Sequence, residues 1–152
     1  MITAWRICKA KLATTAFNGH GAADYPGRWN ALGVRAVYVA ENRSLAALEV
    51  LANADDRSLL SAGAWSIIPV QFEPALILIP VKLPPDWRQV PAPSSTRAFG
   101  SGWVNSRATP VLRVPSVVTL GEFNYILNPL NPDFSKLNIG DPKPFRFDGR
   151  FT

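Results

Sequence analysis

The 152-residue sequence contains one cysteine and one histidine, Cys8 and His20, and each scarcity excludes a class of protein. A single cysteine cannot form an internal disulfide framework, and Cys8 lies in a predicted strand, where a structural role is expected. Structural zinc is bound by several Cys or His ligands, so no metal site is expected. His20 lies in a glycine-rich loop, where ordinary hydrogen bonding is far more common than general-base catalysis.

Charge is also sparse. Charged residues make up 18% of the chain, and the net charge of +5 comes without the run of Lys and Arg that marks a nucleic-acid arm. This pattern favours anionic partners or substrates over direct nucleic-acid binding. No apolar run approaches the ~20 residues of a membrane span, and the amino terminus lacks a signal-peptide pattern. The sequence therefore predicts a soluble, cytoplasmic protein that does not contact membranes.

Apolar and turn-forming residues are abundant. Hydrophobic residues make up 47% of the chain, and 14 prolines and 10 glycines separate short apolar runs. No linker or repeat divides residues 1–152, so we expect one domain, an α+β fold with few helices. Residues 84–93 are predicted to be a proline-rich loop, and residues 99–104 a loop entering a short helix. Strands are expected near residues 4–8, 35–40, 65–72, 76–81, 111–120 and 144–148, with another ending at Pro129.

One helix is predicted over residues 43–54, with Asn42 or Ser44 as its N-cap. At about 100° per residue its leucines and Ala52 form one arc, and small apolar residues cover most of the rest, so we expect it to be largely buried. Glu49 lies at the edge of that arc, and a carboxylate at a core boundary needs a partner. Two partners stay open: Arg28 in a purely structural ion pair, or a bound polar ligand.

A basic loop, residues 24–30, precedes this helix. Its Arg28 offers phosphate a planar fork of donors, the glycine before it allows close backbone approach to a ligand, and Trp29 supplies a flat apolar wall. In the next strand, Tyr38 is either a half-buried core residue or a ring that stacks on a ligand base. Arg6, in the first strand, is either a solvated residue or a second phosphate ligand.

Ser116, in a Val-Pro-Ser turn, suggests a hydrolase with His20 as base and Asp24 as orienter. The Gly-x-Ser-x-Gly elbow is absent, however, and Ser116 follows a proline between strands instead of opening a helix. Its hydroxyl is then either a local turn-former or a group that faces a ligand. Asn128 has the same ambiguity, since Asn before Pro often initiates a turn.

Together these segments resemble the RES domain, the toxin of a bacterial toxin–antitoxin system. Gly-Arg-Trp-Asn-x-x-Gly, Val-Tyr-x-Ala and Leu-Ala-x-Leu-Glu carry the resemblance in the first half, and Val-Pro-Ser and Asn-Pro carry it in the second. It covers roughly the whole chain and implies a fold similar to that of ADP-ribosyltransferases, with a split, mostly antiparallel sheet. The site residues that it implies are Arg28, Glu49 and Ser116 as catalytic and Tyr38, Asn128, Arg6 and Trp29 as substrate-binding.

RES toxins consume NAD, so the resemblance implies cleavage of the nicotinamide–ribose bond, with transfer to water or phosphate, or ADP-ribosyl transfer to a cellular protein. NAD would be a substrate rather than a redox cofactor, because no Gly-x-Gly-x-x-Gly loop is present. The chemistry suits the residues, since a carboxylate stabilises an oxocarbenium-like sugar and the cationic leaving group needs no general acid. A non-enzymatic module that binds a phosphate-bearing ligand, RNA included, stays as the alternative.

The resemblance also implies a partner, a cognate antitoxin with a helix-turn-helix (Xre-like) DNA-binding domain that covers the active site. The resemblance is also compatible with oligomers of toxin–antitoxin complexes. Two positions depart from the family pattern. Pro26 replaces a glycine, which is conservative for a turn, and Asn131 stands where the family has a histidine, so no catalytic histidine is expected there.

Overall fold

A curled, mostly antiparallel sheet of eight strands organises the fold, and the computed structural model describes residues 1–152. The strand order is β4-β5-β6-β2-β1-β3-β7, with β8 beside β3, and only β4 and β5 pair in parallel. The expected α+β class is confirmed. The strands are β1 (Ile2–Lys9), β2 (Val37–Ala40), β3 (Trp65–Phe72), β4 (Ile77–Leu78), β5 (Val111–Pro115), β6 (Phe123–Leu127), β7 (Asn138–Ile139) and β8 (Lys143–Phe145).

The α-helices are α1 (His20–Asp24), α2 (Arg43–Asn53) and α3 (Ser94–Ser106), and five short 3₁₀ segments occur elsewhere along the chain. The helix predicted over residues 43–54 is α2, and Asn42 is its N-cap, accepting a hydrogen bond from the Leu45 N–H at 2.7 Å. None of the helices combines the length and apolar character that crossing a membrane requires.

Two expectations about the helices need correction. Helix α2 is only half-buried, because Leu45 faces the sheet while Leu48 is 39% exposed on the outer side. Helix α3 has 13 residues and begins well before the short helix expected near residues 99–104. It lacks a side-chain N-cap and contains two glycines, so the usual signals of a helix are weak there.

The predicted strands over residues 76–81 and 111–120 are shorter than expected. A 3₁₀ turn over Pro74–Leu76 leaves only two residues of β4, and Pro80 lacks the N–H that would extend it. Strand β5 ends at Pro115, where the chain turns to pair antiparallel with β6. Within β3, the Pro69 carbonyl accepts a hydrogen bond from the Gly140 N–H on the side of the strand away from β1. The ring nitrogen of Pro69 lies on the same side, between the short partners β7 and β8, so the absence of an N–H removes no hydrogen bond to β1.

The sheet is split between its central strands. β1 and β2 share a single register pair, Trp5 with Ala40, whereas β1 pairs with β3 along its whole length. Near this split the Arg6 side chain crosses from β1 to β2, and its Nη1 donates to the Tyr38 carbonyl at 3.0 Å. The divergence of the two strands opens the sheet at one place, and a large cavity lies there.

Helix α3 holds the loop before β2 against the sheet. A Cβ on Gly100 would lie 1.8 Å from the Trp29 carbonyl oxygen, so only glycine permits this approach of helix to loop. The Trp29 ring is 3% exposed and packs edge-to-face on Phe99, with centroids 6.0 Å apart. This contact fixes the backbone next to Arg28.

The two glycines of α3 give a matched test of this packing. Gly100→Ala should destabilise the fold by roughly 2 kcal/mol or more, because the loop must move away from the helix. Gly102→Ala should stabilise it by about 1 kcal/mol, because a Cβ there meets nothing within 4 Å and alanine favours helix. Denaturant unfolding of both variants measures these changes, and equal effects would contradict the contact.

Candidate active site

A cleft of about 990 Å³ opens at the split in the sheet. Its walls come from β1, β2, the loop before β2, α2, α3 and the start of β6, so segments distant in sequence meet around it. Its polar lining includes Arg6, Arg28, Tyr38, Glu49, Arg97 and Asn124.

Glu49 projects from α2 into this cleft, and only one of its carboxylate oxygens is engaged by the protein. Oε1 accepts hydrogen bonds from Ser116 Oγ at 2.9 Å and from Asn124 Nδ2 at 2.7 Å. No protein group donates to Oε2. The carboxylate is therefore fixed through one oxygen and keeps the other for a ligand.

The hydroxyl of Ser116 forms the local turn, which is one of the two roles left open by the sequence, and it also positions Glu49, a role that the sequence did not suggest. Oγ accepts from the N–H groups of Val118 and Thr119 at 3.1 and 3.0 Å and donates its proton to Glu49. The residue is 1% exposed, and the exposed His20 is not among the residues lining the cleft. The hydrolase interpretation fails, because no base reaches a hydroxyl whose proton and lone pairs are already used.

Arg28 is held by backbone carbonyls and not by Glu49. Its Nη1 donates to Trp87 O at 3.1 Å and to Gln89 O at 2.5 Å. The two ion pairs of the chain lie elsewhere, so the purely structural Arg28–Glu49 pair does not form. Burial lowers the pKa of Arg28, and the nearby Glu49 charge opposes that shift. The arginine and the carboxylate thus share the cleft without neutralising each other by contact.

Tyr38 forms part of the wall with its ring, while its hydroxyl is fully used inside the protein. The OH donates to Asn30 Oδ1 at 2.6 Å and accepts from the Trp29 N–H at 3.0 Å. Burial raises the pKa of the phenol, so it stays neutral. A Cβ on Gly27 would lie 2.7 Å from the ring, so this glycine makes room for Tyr38 rather than for a ligand.

Arg6 lies in the cleft lining beside the split. Its Nη1 is engaged with the Tyr38 carbonyl, and its Nε is the one buried side-chain polar atom of the chain without a hydrogen-bond partner. Burial lowers the pKa of the guanidinium. A buried donor without a partner costs free energy, and a ligand in the cleft does not reach this nitrogen because the protein encloses it.

Two of the residues expected to bind substrate are structural. Asn128 is 0% exposed and does not line the cleft, and its side chain donates to Val104 O and accepts from the Leu130 N–H, both at 3.0 Å. Trp29 borders the cleft, but its burial leaves little ring surface for a ligand, so it supports the wall from behind.

The sequence interpretation did not identify Asn124 and Arg97, two polar residues of the cleft. Asn124, the second donor to Glu49, lies in β6, and an asparagine inside a strand is disfavoured unless its side chain has a role. That mismatch was a usable signal. No comparable signal pointed to Arg97, because it belongs to the part of α3 that the sequence did not predict as helix.

A model of the RES domain family matches residues 3–148. A protein named Toxin Res from Yersinia enterocolitica is 36% identical over 147 residues, covering 96% of this chain and 97% of that one. Toxin Res from Photorhabdus laumondii is 39% identical over 150 residues, covering 97% and 96%. The Prs ADP-ribosylating toxin of a Sphingobium species is 34% identical over 151 residues, covering 96% and 94%.

The fold is similar to that of a chain in the crystal structure of the M. tuberculosis MbcT–MbcA toxin–antitoxin complex. The TM-score is 0.70 at 21% identity, with 95% of this chain and 84% of that chain covered. The family model spans nearly all residues, and the three relatives are each more than one-third identical to this chain, so the family is established. The chain belongs to the RES domain family.

The bonding of Tyr38 predicts how it responds to loss of its hydroxyl. Tyr38→Phe should destabilise the fold by about 1–3 kcal/mol, because the Trp29 N–H loses its acceptor in a buried place. Binding of a nucleotide should change little, since the ring remains. Denaturant unfolding measures the first effect and calorimetric titration the second. A stable variant with much weaker binding would mean that the hydroxyl serves the ligand instead.

Proposed function

We propose that this chain is the toxin of a toxin–antitoxin pair and that it inhibits growth by cleaving the nicotinamide–ribose bond of NAD, with transfer to water or phosphate. One observation carries the proposal. The Glu49 carboxylate is fixed by Ser116 and Asn124 through Oε1, with Oε2 unpaired in a cleft that arginines line. That arrangement suits a substrate that is anionic at one end and becomes cationic at its reacting carbon.

In this proposal NAD is the substrate and the protein supplies no redox cofactor. The diphosphate binds near Arg28, whose guanidinium matches phosphate oxygens with paired donors. The Tyr38 ring packs against a base of the dinucleotide, and the nicotinamide ribose lies against Glu49. Arg6 is a further contact, because it lines the cleft and its Nη2 has no protein acceptor.

Chemistry begins with cleavage of the C1′–N bond. The bonding electron pair leaves with nicotinamide, which becomes neutral, and C1′ acquires oxocarbenium character. Glu49 Oε2 stabilises this charge, and no general acid is required because the leaving group was already cationic. A water or phosphate oxygen then bonds to C1′, and water gives up its surplus proton to solvent.

Ser116 and Asn124 act through Glu49 and are positioning residues. Their hydrogen bonds hold the carboxylate before the substrate arrives, so little reorganisation is needed when positive charge develops on the sugar. The buried Ser116 hydroxyl is also tied to two backbone N–H groups, which makes the turn a rigid support.

ADP-ribosyl transfer to a protein is the second candidate, and the name of the Sphingobium relative favours it. The same bond is cleaved and the same residues serve, since only the acceptor differs. A non-enzymatic phosphate-binding module would use the arginines. Such a function does not explain why a carboxylate with one unpaired oxygen is fixed beside them.

An antitoxin is the expected partner, and the fold similarity to a chain of a toxin–antitoxin complex supports it. We propose that a cognate protein with a helix-turn-helix, Xre-like domain covers the cleft. The arginines there favour acidic or carboxy-terminal groups on the covering segment.

The catalytic role of Glu49 is tested by removing its charge alone. Glu49→Gln keeps an oxygen that accepts from Ser116 and Asn124, so the fold should be nearly as stable as the wild type. Nicotinamide release from NAD should fall by about 100-fold or more, because a preorganised electrostatic contact worth roughly 3 kcal/mol is lost.

Glu73→Gln is the matched control, since Glu73 is exposed and lies outside the cleft. It should release nicotinamide at the wild-type rate. A folded Glu49→Gln variant as active as this control would remove Glu49 from the mechanism, and a wild type that leaves NAD intact would refute the proposed reaction.

A further inference from the structure

Two arginines lie near each other in the cleft, and neither has a carboxylate partner. Arg97 and Arg28 both line the cavity, and the chain's ion pairs involve neither. Burial is the main cause that lowers the pKa of Arg28, and the nearby positive charge of Arg97 lowers it further, because the two guanidinium groups repel each other. Like charges held together in a partly buried site are unfavourable unless an anion relieves them.

Both side chains are oriented by backbone carbonyls that leave other donors unused. Arg97 Nε donates to Gly27 O in a long contact of 3.4 Å, and neither Nη atom has a protein acceptor. Arg28 uses only Nη1, on Trp87 and Gln89, and so keeps Nε and Nη2. Each guanidinium thus retains two nitrogen donors, which is the number that a phosphate group accepts in a bidentate contact.

We propose that Arg97, together with Arg28, forms the diphosphate subsite of the cleft, with the two guanidinium groups binding a doubly charged diphosphate. Arg97 is then a substrate-binding residue and determines preference for diphosphate over a single phosphate group. This inference rests on the proposed function insofar as NAD is the diphosphate ligand.

Arg6 does not fill this role. Its Nη1 binds the Tyr38 carbonyl at the split and its Nε is enclosed by the protein, so only Nη2 is left for a ligand and no open fork is present. The Gly27 carbonyl links Arg97 to the loop that carries Arg28, and this shared support keeps the two guanidinium groups in one place. A pair anchored in this way is suited to two linked phosphates.

Equilibrium binding tests the proposal without any need for turnover. The probes are ADP-ribose, inorganic pyrophosphate and inorganic phosphate, titrated calorimetrically at two salt concentrations. The wild type should bind pyrophosphate more tightly than phosphate. Arg97→Ala should weaken ADP-ribose binding about tenfold or more, lose the preference for pyrophosphate, and show a shallower dependence on salt. Arg97→Lys should recover part of the affinity because it restores the charge.

Arg146→Ala is the control, because it removes the same charge from an exposed residue outside the cleft. It should bind all three probes as the wild type does, and thermal melting should show every variant folded. Ligand affinities and salt dependence for folded Arg97→Ala equal to those of Arg146→Ala would overturn the proposal, as would failure of the wild type to bind ADP-ribose.

A nicotinamide-release assay with NAD on the same proteins, set beside the binding data, separates this proposal from the proposed reaction. If ADP-ribose binding depends on Arg97 while the wild type leaves NAD intact, the diphosphate subsite stands and the reaction does not. If NAD is consumed and Arg97→Ala matches the control in both KM and ADP-ribose affinity, the reaction stands and the subsite does not.

Discussion

The pair of hydrogen bonds on Glu49 Oε1 is the constraint on which the site depends. Ser116 follows β5 and Asn124 lies in β6, so these two bonds tie α2 to the β5–β6 hairpin, across 67 and 75 positions of sequence. A carboxylate held from one side presents its second oxygen in a defined direction. Preorganisation of this kind, rather than the presence of a glutamate as such, gives the cleft its capacity to stabilise positive charge.

The proposed substrate is anionic and also requires positive charge in the cleft. Arginines that bind backbone carbonyls instead of carboxylates supply that charge. Arg28 is held by Trp87 and Gln89, and Arg6 by Tyr38, so their charges are oriented without being neutralised. The split between β1 and β2 gives these charged side chains a place in the folded protein. It opens a cavity with several polar side chains in a mostly apolar lining, while the close packing of Gly100 on Trp29 keeps the loop in place.

Local features were predictable from sequence because local forces decide them. The Asn42 cap, helix α2 and the long strand β3 follow from capping and apolar patterning. The motif pattern also singled out Glu49, which the structure places in the cleft. Patterning could not separate Asn128, which is sealed in the interior, from Asn124, which lies in the cleft. That difference depends on strand register and on how the sheet curls, and both are tertiary properties. Helix α3, and Arg97 with it, stayed hidden because it lacks a side-chain N-cap and contains two glycines, of which Gly100 serves packing on Trp29 rather than helix propensity.

A crystal structure of the Glu49→Gln variant soaked with NAD tests the central claim most directly, because slow turnover should leave the substrate intact. The account predicts the nicotinamide ribose against residue 49, with C1′ facing the oxygen position that Oε2 occupies in the wild type, and the diphosphate beside Arg28. NAD bound elsewhere on the protein with the cleft empty, or bound with its diphosphate beside residue 49, would contradict it.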